Sequence, residues 1–124
     1  MSYLIYEPDP LVCYDIRESL VAAYPQCKAF VCADLNEAAI AETPEDLGLA
    51  ILSLRCEQLP AILALFASLR PGCAVLIIMD DAPPPRIDNP LRAGILLRPF
   101  SSDTLTAAIN AVFSVQPSYQ LETP

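Results

Sequence analysis

The chain contains no histidine, and that absence excludes Cys-His and Ser-His nucleophile pairs as well as any zinc site that needs imidazole. Glycine is nearly as scarce, with three in 124 residues. Neither GxGxxG nor GxxxxGK followed by Ser or Thr occurs, so there is no glycine-rich loop to cradle a phosphate. Basic residues number seven against 15 acidic ones, a formal charge of -8, which argues against a nucleic-acid partner because such binding draws on clustered Lys and Arg. Long apolar runs are missing too. The run Ala74 to Met79 has the length of a strand, and no run approaches the ~20 residues that a membrane helix needs. The start, "MSYLIYEPD", has no basic region and meets acid early, unlike a signal peptide. No membrane partner and a cytoplasmic location are expected.

What is present is apolar. The hydrophobic fraction is 54% and the mean hydropathy +0.41, more than one core of this size needs, which points to a covered patch and hence a homodimer or a protein partner. Five cysteines (Cys13, Cys27, Cys32, Cys56, Cys73) form no CxxC pair and read as small buried hydrophobes. Cys27 and Cys32 are close enough in sequence to raise a redox pair as a further possibility. By length the chain is one domain, expected over residues 1–114, with 115–124 as a frayed tail.

Along the chain the apolar period alternates between two forms. "YLIY" (3–6), "AFVC" (29–32), "LAILSL" (49–54), "AVLIIM" (74–79) and "GILL" (94–97) are short runs of strand type. Between them, Asp9 and Pro10 make a helix start ahead of a stripe of Val12, Ile16, Leu20 and Ala23. Asp34 and Glu37 stand at capping-box spacing for a second helix. Pro60 suits a first helical position ahead of Ile62, Phe66 and Leu69, and Ser101 caps a last helix that buries Leu105, Ala108, Ile109, Val112 and Phe113. "DDAPPPRIDNP" (80–90) cannot be a regular helix across Pro83, Pro84 and Pro85, so a helix there is short or missing. Five strands alternating with helices predict an α/β fold, a doubly wound five-stranded parallel sheet. Ligands of such sheets sit beyond the C-terminal strand ends. Those ends carry Glu7, Pro8 and Asp9, then Ser53, then Met79 and Asp80, then Arg98.

That series of positions, from "EPDPLV" to "RPF", resembles the receiver domain of bacterial two-component response regulators, a flavodoxin-like (βα)5 fold. The resemblance implies a pocket of two acids after the first strand, an acceptor aspartate after the third, a Ser or Thr after the fourth, and Lys-Pro after the fifth. It also implies a cis Arg98-Pro99 bond, with Pro99 turning the chain into the last helix. This sequence departs at four places. Pro8 replaces the second acid and leaves Glu7 alone, Ser53 stands for the acceptor aspartate, Met79 for the hydroxyl residue and Arg98 for the lysine. Asp9 either caps the first helix or reaches the metal space, and Arg98 can pair with Glu7, Asp9 or Asp80. The expectation is a degenerate receiver with no metal, no cofactor and no catalysis, acting as a stand-alone, phosphorylation-independent interaction module in bacterial signalling. Its interaction face would involve Pro83, Pro84, Pro85, Ile95 and Phe100, with the proline segment read either as a docking surface or as a stiffened loop. The alternative is a sensor of a small polar ligand or anion in the remodelled pocket.

Overall fold

"AVLIIM" has no polar residue to offer water on either face, and all six side chains are buried. This is β4 (Ala74–Met79) in a computed structural model that describes residues 1–80 and 92–114. Around it lie β1 (Ser2–Tyr6), β2 (Lys28–Val31), β3 (Leu47–Ser53) and β5 (Ala93–Leu97), all parallel in the order β2-β1-β3-β4-β5. Successive side chains point to opposite faces, so each central strand feeds two cores. On one face Leu4, Leu52, Val75 and Ile77 meet Ile40, Ile62, Leu63 and Phe66 from α2 (Glu37–Ala41) and α3 (Leu59–Leu69). On the other, Tyr3, Ile5, Ile51, Leu76 and Ile78 meet Ile16, Leu20, Leu105, Ile109 and Val112 from α1 (Pro10–Ala23) and α4 (Ser102–Ser114). Each fully buried aliphatic or aromatic side chain contributes about 1.5–3 kcal/mol. The two-sided burial is why these strands read as continuous apolar runs.

The Asp9-Pro10 start signal acts as the spacing predicts. The Asp9 carboxylate accepts from the Leu11 and Val12 amides at 2.9 and 3.4 Å, and Pro10 opens α1. The inward stripe ends at Leu20, however. Ala23, the last residue of the helix before its C-cap Tyr24, is exposed and borders a groove with α4. At α2 the capping residue is Asn36, whose side chain accepts from the Ala39 amide at 2.9 Å. Asp34 is therefore not the cap; Glu37 is already the first helical residue. A 3-10 turn over Cys56–Gln58 precedes α3, so Leu59 rather than Pro60 begins that helix. Ser101 Oγ accepts from the Thr104 amide at 3.2 Å and caps α4. The Arg98-Pro99 bond is cis.

Arg70, at the end of α3, ties the two helices of its face together. Its guanidinium donates to the carbonyls of Ala41 (3.1 Å) and Thr43 (2.6 Å) and to Thr43 Oγ1 (3.1 Å), just beyond α2. β3 starts at Leu47, earlier than its apolar run suggests, and the β1-β3 register slips so that Gly48 is skipped between Leu47 and Leu49. A Cβ on Gly48 would lie 2.3 Å from Met1 Sδ, so the N-terminal side chain fills the space that glycine leaves.

The cysteines do not all behave as buried hydrophobes. Cys73 is buried, Cys13, Cys27 and Cys32 are half-buried, and Cys56 is exposed. Cys27 and Cys32 pack on opposite faces of the sheet and flank β2 at its two ends, about 16 Å apart at strand rise. A disulfide needs Cα atoms within about 7 Å, so this geometry contradicts the redox pair. Among the described residues no helix is long and apolar enough to cross a membrane. The segment read as a shortened or missing helix, with Pro83, Pro84 and Pro85, and the tail after Ser114 lie outside the described residues.

Candidate functional site

The sheet register brings the site together. One step beyond the pair Tyr6-Leu52, Glu7 stands beside Ser53; one step beyond Met79-Leu97, Asp80 stands beside Arg98. The Arg98 amide donates to Met79 O at 2.9 Å, which extends the β4-β5 ladder and fixes where the arginine side chain begins. Glu7, Pro8, Ser53, Met79, Asp80 and Arg98 all border one cavity of about 200 Å³. Asp9 does not, because its carboxylate is spent on the start of α1.

Within this cavity the polar groups satisfy one another. Glu7, with 3% of its side chain exposed, accepts on Oε1 from Ser53 Oγ at 2.6 Å and from Arg98 Nη2, and on Oε2 from the Asp9 amide at 3.0 Å. Arg98 Nη2 also donates to Ser53 Oγ at 2.9 Å, and Arg98 Nε lies 3.2 Å from Asp80 Oδ1. A buried carboxylate is strongly destabilising unless paired and hydrogen-bonded, and here it is both. The Asp80 contact adds little, since that side chain is 80% exposed and solvent screens it.

This donor set does not fit magnesium, which the receiver resemblance would imply. Magnesium demands octahedral oxygen coordination with one or more free carboxylates. Both Glu7 oxygens are engaged, Pro8 supplies no ligand, Ser53 is neutral, and a guanidinium stands against Glu7. Among the described residues no three Asp, Glu, Cys or His side chains converge. Nor does the site activate Ser53. Its hydroxyl donates to the carboxylate that Arg98 also contacts, and the chain has no imidazole to take the proton. Met79 is buried among the apolar side chains of the α2-α3 face.

Ile95 and Phe100, nominated together for an interaction face, pack on opposite sides of the sheet, each half-buried. Two surface features escape the sequence reading. One is a groove of about 910 Å³ between α1 and α4, bordered by Asp15, Glu18, Phe100, Asp103 and the outer side of Arg98. The other is a line of exposed apolar side chains on α1, with Leu11 78%, Tyr14 61% and Val21 45% exposed. Their signal was available: these positions lie off the inward stripe of α1 yet are apolar.

No family model matches the chain, and no curated protein matches it. Solved structures do. HP1043, an orphan response regulator of H. pylori, aligns with a TM-score of 0.69 at 17% identity, over 90% of this chain and 95% of that one. RcsB from Salmonella enterica serovar Typhimurium, bound to promoter rprA in the presence of phosphomimetic BeF3-, aligns with a TM-score of 0.68 at 18% identity over 90% of this chain, which spans 67% of that RcsB chain. An atypical orphan response regulator, described with a phosphorylation-independent regulatory mechanism, gives a TM-score of 0.67 at 16% identity over 94% of this chain and 98% of that one. At these identities the likeness speaks for the fold. The chain has the CheY-like fold of response-regulator receiver domains.

Proposed function

We propose that this chain is a phosphorylation-independent, receiver-like protein-interaction module of bacterial signal transduction, acting in the cytoplasm with a protein partner or as a homodimer. The observation that carries the reading is the closed triangle of Glu7, Ser53 and Arg98: a hydroxyl stands at the acceptor position, and the neighbouring cation and anion are already committed to each other. The orphan regulator described with a phosphorylation-independent mechanism offers a precedent on the same fold. A surface role is supported by the exposed Leu11, Tyr14 and Val21 of α1, since apolar groups clustered in contact with water mark interaction sites. The charge of -8 weighs against a nucleic-acid partner.

A small-ligand sensor is the weaker reading. The cavity, about 200 Å³, falls below the ~300–1,000 Å³ of typical ligand pockets, and its arginine is occupied. Incubation with acetyl phosphate and magnesium, followed by intact-mass measurement, tests the main reading. No phosphoryl adduct is expected, and a stoichiometric one refutes it. A thermal-shift screen of anions and nucleotides tests the sensor: a ligand selective for the native state must raise Tm.

A further inference from the structure

Glu7 is almost wholly buried, and among the described residues the cation in contact with it is Arg98. Arg55, which also borders the cavity, turns its guanidinium to Glu57 at 2.7 Å. We infer that Arg98 is the pocket's resident cation, a tethered guanidinium that does for Glu7 what a divalent metal would otherwise do, and that it excludes such metals. The inference rests on reading the pocket as receiver-derived, and it concerns how that pocket is held neutral.

Three features support it. First, the planar guanidinium offers donors in a fixed fork, and its Nη2 and Nε are spread over three acceptors, Glu7 Oε1, Ser53 Oγ and Asp80 Oδ1. One group thereby gathers a carboxylate after β1, a hydroxyl ending β3 and a carboxylate after β4. That is the convergence expected of an oxygen-bound cation, achieved with a covalently attached charge. Second, a divalent ion bound to Glu7 Oε1 would have to stand against this guanidinium, a like-charge contact beside a carboxylate whose side chain is 3% exposed. Third, the acid next to Glu7 in the receiver pattern is Pro8 here, and Asp9 is committed to the helix start. With Asp80 80% exposed and solvated, the buried negative charge is that of Glu7 alone, and it suits one monovalent cation better than two charges on a metal. Because the cation is tethered, its occupancy depends on neither metal concentration nor a chelator.

Manganese binding by the full chain, followed by the loss of the free-ion signal in electron paramagnetic resonance, tests this. The forms compared are wild type, Glu7→Gln, Arg98→Ala, and Arg98→Ala combined with Glu7→Gln. The wild type should show only the weak background that an acidic surface gives in all forms. Arg98→Ala should gain one manganese per chain, displaced by magnesium, and the double variant should lose it again. Arg98→Gln replaces Arg98→Ala if the latter does not fold. A site in the wild type that Glu7→Gln removes would overturn the inference, and so would a failure of the Arg98 variants to gain one. Metal bound by the wild type leaves the phosphorylation-independent reading intact, because Ser53 still presents no carboxylate; a phosphoryl adduct on the wild type would refute that reading without requiring Arg98 to have moved.

Discussion

Removing the Arg98 side chain leaves Glu7 buried with a full charge and no counter-ion, and the size of the effect follows from the surroundings. Deleting one partner of a buried pair costs about 3–5 kcal/mol. Glu7 is 3% exposed, but Arg98 is 26% exposed, so water reaches the vacated space and the lower end applies, about 3 kcal/mol. The Asp80 contact adds nothing to that figure, since an exposed pair is worth about 0–1 kcal/mol. For a domain of 124 residues the loss corresponds to a fall in Tm of roughly 10 °C. Urea unfolding followed by far-ultraviolet circular dichroism measures it directly. Arg98→Ala should lower the midpoint at unchanged slope, and adding Glu7→Gln should restore more than half of the loss, because no buried charge then remains. A cost below about 1 kcal/mol, or a double variant whose loss equals the two single losses added together, would show that the pair is a surface contact and refute the picture of a sealed pocket.

The other expectations touch different parts of the molecule. Arg70→Ala removes the bonds to Ala41 O, Thr43 O and Thr43 Oγ1 and should cost about 1–2 kcal/mol, with faster amide exchange confined to α2 and Thr43. Burial pushes the Cys73 thiol up to about 12. The thiol is protonated in both states below about pH 9, and between there and pH 12 the unfolded chain releases a proton that the folded one keeps. Stability should therefore fall by about 1.4 kcal/mol per pH unit from this group across that range, and the fall should flatten in Cys73→Ala when urea midpoints are compared. Under native conditions at pH 8 a thiol reagent should label exposed Cys56 first and Cys73 last; equal rates would contradict the burial. Ser53→Asp alone should give no phosphoryl adduct with acetyl phosphate and magnesium, because Arg98 stays paired with Glu7; an adduct would show that the missing acceptor was the only obstacle.

Much of this fold could be read from the chain because its strands are buried on two faces. A run such as Leu49 to Leu52, with every side chain 0% exposed, leaves a continuous apolar string that few other elements produce. Helix starts were equally clear where one side chain does the capping, as Asp9 and Ser101 do. The α2 cap was misjudged because Asp34 and Asn36 are both good caps, and only the path from β2 decides that Asn36 faces the open amide at Ala39. The Cys27-Cys32 idea failed for lack of strand parity, since an odd separation across β2 sends the two to opposite faces. At the site, the strand-end rule pointed to Glu7, Pro8, Ser53, Met79, Asp80 and Arg98, which share one cavity, but it missed Arg55 and Gln58 on the turn before α3 and added Asp9, which caps α1 instead; the chemistry of Arg98 suggested its acidic partners. The Ser53-Glu7 bond was not foreseeable, because it depends on the β1-β3 register, and that register carries a slip at Gly48.

The strand order β2-β1-β3-β4-β5 has a consequence for the history of Glu7. As the chain is synthesised, β1 and β2 can pair first, and growth must then switch to the opposite edge of β1, where β3, β4 and finally β5 are added. Until the last of these strands docks, the space beside Glu7 that Arg98 fills stays open to water. The strand that completes the sheet is also the one that leads into Arg98. The acid is thus sealed away only as its counter-charge arrives on the same segment, and the nascent domain is not obliged to bury a bare carboxylate.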